Sequence, residues 1–151
     1  YGTGPVALIK AMSKVQSQST SSPNTIAQYA SIAALDGPMD FIATNREVFA
    51  RRRQLVCKAL NKIDGIDCLL PDGAFYVYPS INKLIGKKRP DGAVIESDSD
   101  FVKYLLEAGE VAVVPGTAFG LSPYFRISYA AADDVLEDAM ARIAKVTEAL
   151  S

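Results

Sequence analysis

The sequence contains no histidine, and this absence excludes several kinds of site. A Ser-His-Asp triad, a Cys-His nucleophile pair and every histidine-ligated metal site need an imidazole. Catalysis would have to rest on carboxylates, lysines, tyrosines or a bound cofactor. The glycine-containing start, GTGP at Gly2–Pro5, matches neither a GxGxxG nor a Walker pattern. We therefore assign no metal ligand and no phosphate loop to this chain.

Cysteine is scarce as well, and the two cysteines, Cys57 and Cys68, form no CxxC motif. Their spacing does not suggest a secreted disulfide framework, so we expect a reducing, cytoplasmic environment. The net charge of −1 gives no electrostatic reason to expect nucleic acid or a membrane surface as a partner. No apolar run approaches the roughly 20 residues that span a bilayer.

Apolar residues, in contrast, are plentiful. The 151 residues are 49% hydrophobic, which suits one globular domain or a small domain with an attached piece of another. The first residue is Tyr1 rather than methionine, and no capping pattern precedes the GTGP segment. We therefore expect the chain to be a piece of a longer protein.

The first third of the chain predicts helices. Pro5 opens a short helix, and a Ser/Thr/Pro loop follows it. Ser22 and Pro23 are predicted as the N-cap and first residue of an alanine-rich helix. From Met39 to Ile63 a helical stripe of apolar residues predicts one long helix, which could connect two domains. Of the three arginines at its centre, Arg51–Arg53, we expect two to lie on the solvated face.

Residues 66–151 predict the order β-β-α-β-β-α, an α+β layer in which helices cover one side of a small sheet. Pro71–Gly73 is a turn signal between two strand-like segments, so a hairpin is expected there. Acidic cap residues and Gly109 bound one helix, and Asp133 is expected to cap the last one.

The strand-like segment YFRISYA, residues 124–130, holds the one candidate for binding chemistry. Alternation places Phe125, Ile127 and Tyr129 on an apolar face and Arg126 on the opposite face. An arginine on a strand is most often solvated or paired with a nearby carboxylate. Its planar fork, however, also suits bidentate capture of a carboxylate ligand. Arg126 is then a binding residue and not a catalyst.

Several segments, in this order, resemble the C-terminal part of class I aminotransferases, closest to the bacterial aspartate aminotransferases. They are ALIKAMSKVQSQSTSSPNTIAQ, RRRQLV, PDGAFYVYP, LLEAGEVAVVPGTAFG and FRISYA. The resemblance implies an α/β fold of the pyridoxal-phosphate-dependent, fold type I group. It also implies that Arg126 binds the α-carboxylate of the amino-acid substrate. Such a grip would orient the substrate's Cα–H bond toward the cofactor.

The same resemblance implies a domain division and a homodimer. Residues 1–38 would belong to the large cofactor domain, 39–65 to an interdomain helix and 66–151 to a mobile small domain. The loop Gln18–Asn24 would lie near the subunit boundary, with no role assigned to any one residue. The family's Schiff-base lysine stands upstream of Tyr1, so this chain is expected to be inactive alone and to contain no catalytic or cofactor-binding residue.

Three hypotheses remain open from the sequence. The first is an aspartate:2-oxoglutarate aminotransferase with pyridoxal 5'-phosphate as cofactor. The second is a relative with aromatic, prephenate or alanine specificity. The third is a non-catalytic α+β module that binds a small carboxylate or a protein partner.

Overall fold

The computed structural model describes residues 2–151. The chain divides into two compact units, one that runs up to Ile42 and one from Ala43 to Ser151. The three-part division expected from the resemblance concerns the longer parent protein and stays a prediction. None of the helices in the described residues is long and apolar enough to cross a membrane.

The first unit contains two helices, α1 (Val6–Ser19) and α2 (Thr25–Asp36). The predicted cap of α2 is wrong by two residues. Asn24 is the N-cap, and its Oδ1 accepts a hydrogen bond from the backbone N–H of Ala27 at 2.8 Å. Ser22 lies two residues before the cap position, in a turn where its own N–H donates to the carbonyl of Thr20. No residue of either helix is buried.

The long helix is confirmed as α3 (Asp40–Leu60), although it ends three residues earlier than expected. After Leu60 the backbone closes into a tighter turn, in which the N–H of Ile63 donates to the carbonyl of Leu60. Gly65 follows with φ +89°, a left-handed conformation that favours glycine. Only the C-terminal half of α3 is buried, through Val56, Cys57 and Leu60.

The arginines of α3 meet the expectation of a solvated face only in part, because Arg51 is exposed whereas Arg52 and Arg53 are half-buried. Arg51 and Arg52 both bind the carboxylate of Asp133, and Nη1 of Arg53 donates to the carbonyl of Pro71 at 2.8 Å. Their partners are 18 to 82 residues distant in the chain. Helical periodicity alone cannot show contacts at that separation.

The second unit contains a small antiparallel sheet of three strands, β1 (Tyr76–Val77), β2 (Val114–Pro115) and β3 (Phe125–Ser128). Strand β3 lies at the centre, in the order β1-β3-β2. Phe125 and Ile127 are buried, while Arg126 between them is half-buried. The predicted alternation of the YFRISYA segment is therefore confirmed.

The predicted hairpin at Pro71–Gly73 is wrong in its detail. Strand β1 pairs with β3 instead of with the segment before the turn. That earlier segment forms a single bridge, between Asp67 and Ser80. At Cys68 the side-chain amide of Asn61 donates to the backbone carbonyl and accepts from the backbone N–H, each at 2.8 Å. Cys68 therefore needs no strand partner. The third strand of the predicted order is likewise short: it is reduced to the two residues of β2, which are half-buried.

Two further helices complete the second unit, α4 (Asp98–Gly109) and α5 (Asp133–Glu148), with short 3-10 helices at Asn82–Leu84 and Gly116–Phe119. Asp133 does not cap α5. It is the first helical residue, and Ala132 occupies the cap position without a side-chain hydrogen bond. The Asp133 carboxylate binds arginines of α3 instead, which explains the error.

A single apolar core fills the second unit and fixes β3 against α4 and α5. Its fully buried members come from α3, β1, β3, α4, α5 and the connecting segments, and the largest are Tyr129, Phe101, Phe125, Leu60, Ile81, Leu84, Ile95, Leu105 and Ile143. Complete burial of a leucine, isoleucine or phenylalanine side chain contributes about 1.5–3 kcal/mol. The strand that carries Arg126 is thus held rigidly from its apolar side.

Candidate functional site

The guanidinium of Arg126 lies against two aromatic rings. Its Cζ is 4.2 Å from the ring centroid of Phe119 and 5.0 Å from that of Tyr76. Both distances fall within the range of attractive cation–π contacts. Tyr76 belongs to β1, and Phe119 ends the 3-10 helix that follows β2. The rings on the two sides of β3 therefore define where the cation sits.

Among the described residues, Arg126 has no ion pair and no hydrogen bond from its side chain. Four other arginines pair with carboxylates, namely Arg51, Arg52, Arg89 and Arg142. The carboxylate pairing that is usual for an arginine on a strand is therefore not found at Arg126. Its N–H donors remain for a ligand, because aromatic faces attract the cation without accepting those hydrogen bonds in its plane.

Tyr78 connects the aromatic side of this site to the loop 116–124. Its ring stacks on Tyr124 at 5.5 Å between centroids, and its hydroxyl donates to the carbonyls of Gly116 and Leu121 at 2.9 and 3.2 Å. Burial raises the pKa of Tyr78 most, and the carboxylate of Asp98 raises it further, while Arg126 lowers it in part. The hydroxyl therefore stays protonated at neutral pH and acts as a donor.

Asp98 holds the same loop from the other direction. It is buried, and its carboxylate accepts hydrogen bonds from the backbone N–H of Thr117 at 2.9 Å and from the Thr117 hydroxyl at 2.7 Å. Burial alone would raise the pKa of Asp98. The donors from Thr117, Ser122 and the backbone of Tyr124 outweigh that effect and hold the pKa below its usual range. Sequence reasoning missed this residue, because Asp98 stands in an acidic run typical of a helix start.

The arrangement is suited to binding an anion, and it supplies no group for proton transfer. The Asp98 carboxylate is fully engaged, and none of the nine lysines is buried. The described residues also contain no group of three or more potential metal ligands. A planar cation with unoccupied donors is complementary to a carboxylate, with which it can form two parallel charge-assisted hydrogen bonds.

Comparison with known proteins decides the family. The model of the family "Aminotransferase class I and II" matches residues 1–143. The chain belongs to this family. It is 58% identical over its whole length to an aspartate/prephenate aminotransferase of Cereibacter sphaeroides, of which it covers 38%. It is 54% identical to an aspartate aminotransferase of Rhizobium meliloti, of which it covers 37%.

Solved structures agree with the family assignment. The crystal structure of the aspartate aminotransferase from Rhizobium meliloti matches 98% of the chain with a TM-score of 0.94 at 54% identity, over 37% of that protein. An aromatic aminotransferase from Pyrococcus horikoshii matches 97% of the chain with a TM-score of 0.83 at 36% identity, also over 37% of its length. The predicted α/β, fold type I class is thereby confirmed.

The chain spans a little over a third of the length of these relatives. The assignment of that share to the C-terminal part of the parent stays a prediction from the order of the motifs. The family implies pyridoxal phosphate in the parent protein. The described residues do not fit covalent attachment of this group, because attachment needs a lysine in an enclosed, apolar setting and no lysine here is buried.

Proposed function

We propose that the parent protein is an aspartate aminotransferase, which transfers the amino group of L-aspartate to 2-oxoglutarate, and that this chain contributes the α-carboxylate clamp, Arg126. The single observation that carries the proposal is the guanidinium itself. It lies against Phe119 and Tyr76, half-buried, with no carboxylate of the described residues bound to it. Two parallel N–H donors would grip one substrate carboxylate and fix its orientation.

The energetics favour such a role. Hydrogen bonds to charged groups contribute about 1.5–3 kcal/mol each, and the partial burial of Arg126 reduces competition from water. Pyridoxal phosphate, held by residues outside this chain, would supply the electron sink for amino transfer. Arg126 binds the donor amino acid and the acceptor oxo acid through the carboxylate that both possess.

We further infer that the second unit corresponds to a mobile small domain, whose closure excludes water from the bound substrate. The first unit supports a homodimeric parent. Its helices expose large apolar side chains, including Ile26, Tyr29 and Leu35, each more than two-thirds exposed. Such a surface is typical of a segment that is covered by another part of the protein or by a second subunit. A cytoplasmic location is proposed from the scarcity of cysteine alone.

The test is Arg126→Lys in the full-length protein. Lysine keeps the charge but loses the planar fork, so we expect kcat/KM for aspartate to fall at least tenfold, or about 1.4 kcal/mol. Arg89→Lys is the matched control. Arg89 also lies over an aromatic ring, Tyr104 at 5.0 Å, but it is already paired with Asp91. Unchanged kinetics in Arg126→Lys, or an equal loss in the control, would refute the clamp.

A second candidate is supported by the names of the relatives. The Cereibacter sphaeroides protein is an aspartate/prephenate aminotransferase, and the Pyrococcus horikoshii protein is an aromatic one. An Arg126 clamp serves every α-amino acid, so it does not separate these specificities. A panel of aspartate, prephenate, alanine and aromatic amino acids, assayed with the full-length protein, decides between them by kcat/KM.

The non-catalytic alternative makes a different prediction for this chain by itself. It requires a monomer that binds aspartate stoichiometrically without cofactor, which calorimetric titration detects. The aminotransferase proposal instead expects the isolated chain to be inactive. With pyridoxal phosphate and borohydride, no single lysine should then become labelled stoichiometrically. Stoichiometric labelling of one lysine would contradict the view that the attachment lysine lies outside this chain.

A further inference from the structure

A continuous set of contacts leads from Arg126 to a buried carboxylate. Arg126 lies against Phe119, the last residue of the 3-10 helix Gly116–Phe119. Two residues earlier, Thr117 is held at both its backbone N–H and its hydroxyl by Asp98. Asp98 is the first residue of α4 and is fully buried. Residues of α4 pack against this 3-10 helix, so the anchor is rigid.

The Asp98 carboxylate is a specialised anchor. A buried carboxylate is costly unless donors surround it. Here the donors come from the backbone and hydroxyl of Thr117, from the Ser122 hydroxyl and from the backbone of Tyr124. All of them belong to the loop that carries Phe119, and none is an arginine or a lysine. The negative charge therefore organises this one loop instead of neutralising a cation.

The loop has little freedom once it is anchored. A Cβ at Gly116 would lie 2.2 Å from the carbonyl oxygen of Leu121 and 2.7 Å from that of Tyr124. The N–H of Gly116 donates to the same Tyr124 carbonyl at 2.7 Å. The hydroxyl of Tyr78 closes the loop from the sheet side. A displacement of Thr117 must therefore shift the Phe119 ring.

We propose that Asp98 is a positioning residue for the substrate-carboxylate clamp: it fixes Phe119 through Thr117, and the Phe119 ring sets the plane in which the Arg126 guanidinium meets a carboxylate. The proposal rests on the proposed function of Arg126 and adds to it a residue that touches neither substrate nor cofactor. Bidentate binding depends on the orientation of the guanidinium plane, and a tilted fork offers one good hydrogen bond where two are needed.

This role predicts a specific kinetic pattern. Both substrates present an α-carboxylate to the same cation, so a misaligned fork raises KM for aspartate and for 2-oxoglutarate by a similar factor. The groups that move protons lie elsewhere, so we expect kcat to fall by a smaller factor than KM rises. A general loss of stability would reduce the amount of active protein and would not shift the two KM values together.

The experiment uses the full-length holoenzyme with Asp98→Asn, Phe119→Leu and Phe119→Tyr. Asparagine keeps the shape of Asp98 but puts an N–H₂ group where an acceptor is needed. We expect Asp98→Asn and Phe119→Leu to raise both KM values about fivefold, the size of one cation–π contact, with kcat within about twofold of the wild type. Phe119→Tyr keeps the aromatic face, so both of its KM values should stay close to those of the wild type.

Asp100→Asn is the matched control for Asp98→Asn. Asp100 stands in the same first turn of α4, but it accepts hydrogen bonds from Ser97 and Glu96 instead of from the loop 116–124. We expect its KM values to be unchanged. The dissociation constant of succinate, a dicarboxylate without an amino group, gives a second measure of carboxylate docking and should rise in parallel with KM.

The outcomes separate this inference from the proposed function. If Arg126→Lys leaves the kinetics unchanged, the clamp itself is wrong. If Arg126→Lys is impaired but Phe119→Leu behaves like Phe119→Tyr, or Asp98→Asn like Asp100→Asn, the clamp stands and the positioning role is overturned. Should Asp98→Asn not fold, Thr117→Val, which removes the hydroxyl that Asp98 binds, tests the same connection: unchanged KM values in that variant would overturn the positioning role.

Discussion

The carboxylate of Asp133 accepts a hydrogen bond from Nε of Arg52 at 2.6 Å, although 81 residues separate the two in the chain. The contact joins the middle of α3 to the first residue of α5. Arg51 binds the other oxygen of the same carboxylate, also at 2.6 Å. Because a negative charge at a helix N-terminus is favourable in itself, Asp133 stabilises α5 and connects it to α3 at once.

Substitution of Arg52 by glutamine should therefore lower the unfolding temperature of the full-length protein more than Arg51→Gln. The Arg52 side chain is 21% exposed and the Arg51 side chain 61%, so water screens the second contact more strongly. Differential scanning fluorimetry of the two variants measures the difference. Equal shifts would show that burial does not separate the two contacts.

The same pair predicts a dependence on pH. Hydrogen bonds from Arg52, which has the larger effect, and from Arg51 hold the pKa of Asp133 below its usual value. A carboxyl whose pKa is lowered on folding stabilises the protein above its unfolded pKa, about 3.9, and loses that effect as the pH falls further. The difference in unfolding temperature between the wild type and Arg52→Gln should shrink as the pH is lowered from about 5 to 3. A constant difference would contradict this account.

Gly116→Ala should destabilise the protein by about 1–3 kcal/mol. The added Cβ would meet two backbone oxygens and the Tyr78 hydroxyl, all within 2.8 Å, and backbone atoms cannot yield cheaply. Gly73→Ala is the matched control, since nothing lies within 4 Å of a Cβ there. Urea denaturation of both variants gives the two free energies of unfolding. A Gly116→Ala value within 0.5 kcal/mol of the Gly73→Ala value would show that the loop adapts.

The two cysteines should be inert toward alkylation in the native protein. The Sγ atoms of Cys57 and Cys68 are 3.7 Å apart and both residues are buried. Burial raises the pKa of both thiols, that of Cys68 to about 12. At pH 8 roughly one Cys68 thiol in ten thousand is then ionised, against about a quarter for a solvated cysteine. Iodoacetamide labelling, followed by mass spectrometry, should be fast only after unfolding, and rapid native labelling of Cys68 would contradict the burial.

Sequence patterns correctly predicted features that depend on residues close together in the chain. The periodicity of α3 and the alternation around Arg126 depend on neighbours within a few residues, and the structure confirms both. The acidic residues expected to cap α4 lie in its first turn, whereas Ser97 is the N-cap. Gly109 is a partial success. The helix ends there, but the left-handed residue is Glu110. Gly109 instead allows close packing, since a Cβ on it would lie 3.1 Å from a methyl group of Val146.

Contacts between distant segments could not be predicted in the same way. Asp98 and Asp133 both look like helix-start acids in the sequence, yet one organises the loop 116–124 and the other binds two arginines of α3. The importance of Phe119 was equally hidden, because its value depends on the ring facing a cation on a neighbouring strand. The sequence identifies a carboxylate or an aromatic ring, but it does not show which residue that group contacts in the fold.

The Asn61 side chain limits how another chain can pair with the segment that follows α3. Its amide occupies the donor and acceptor of Cys68 from the side, next to an apolar segment whose Leu69 is 88% exposed. Unpaired backbone N–H and C=O groups beside exposed leucines are a site at which the backbone of another chain can pair and promote aggregation. Because Asn61 satisfies both backbone groups of Cys68, the connection between α3 and β1 offers fewer free hydrogen-bonding groups to another chain at this residue.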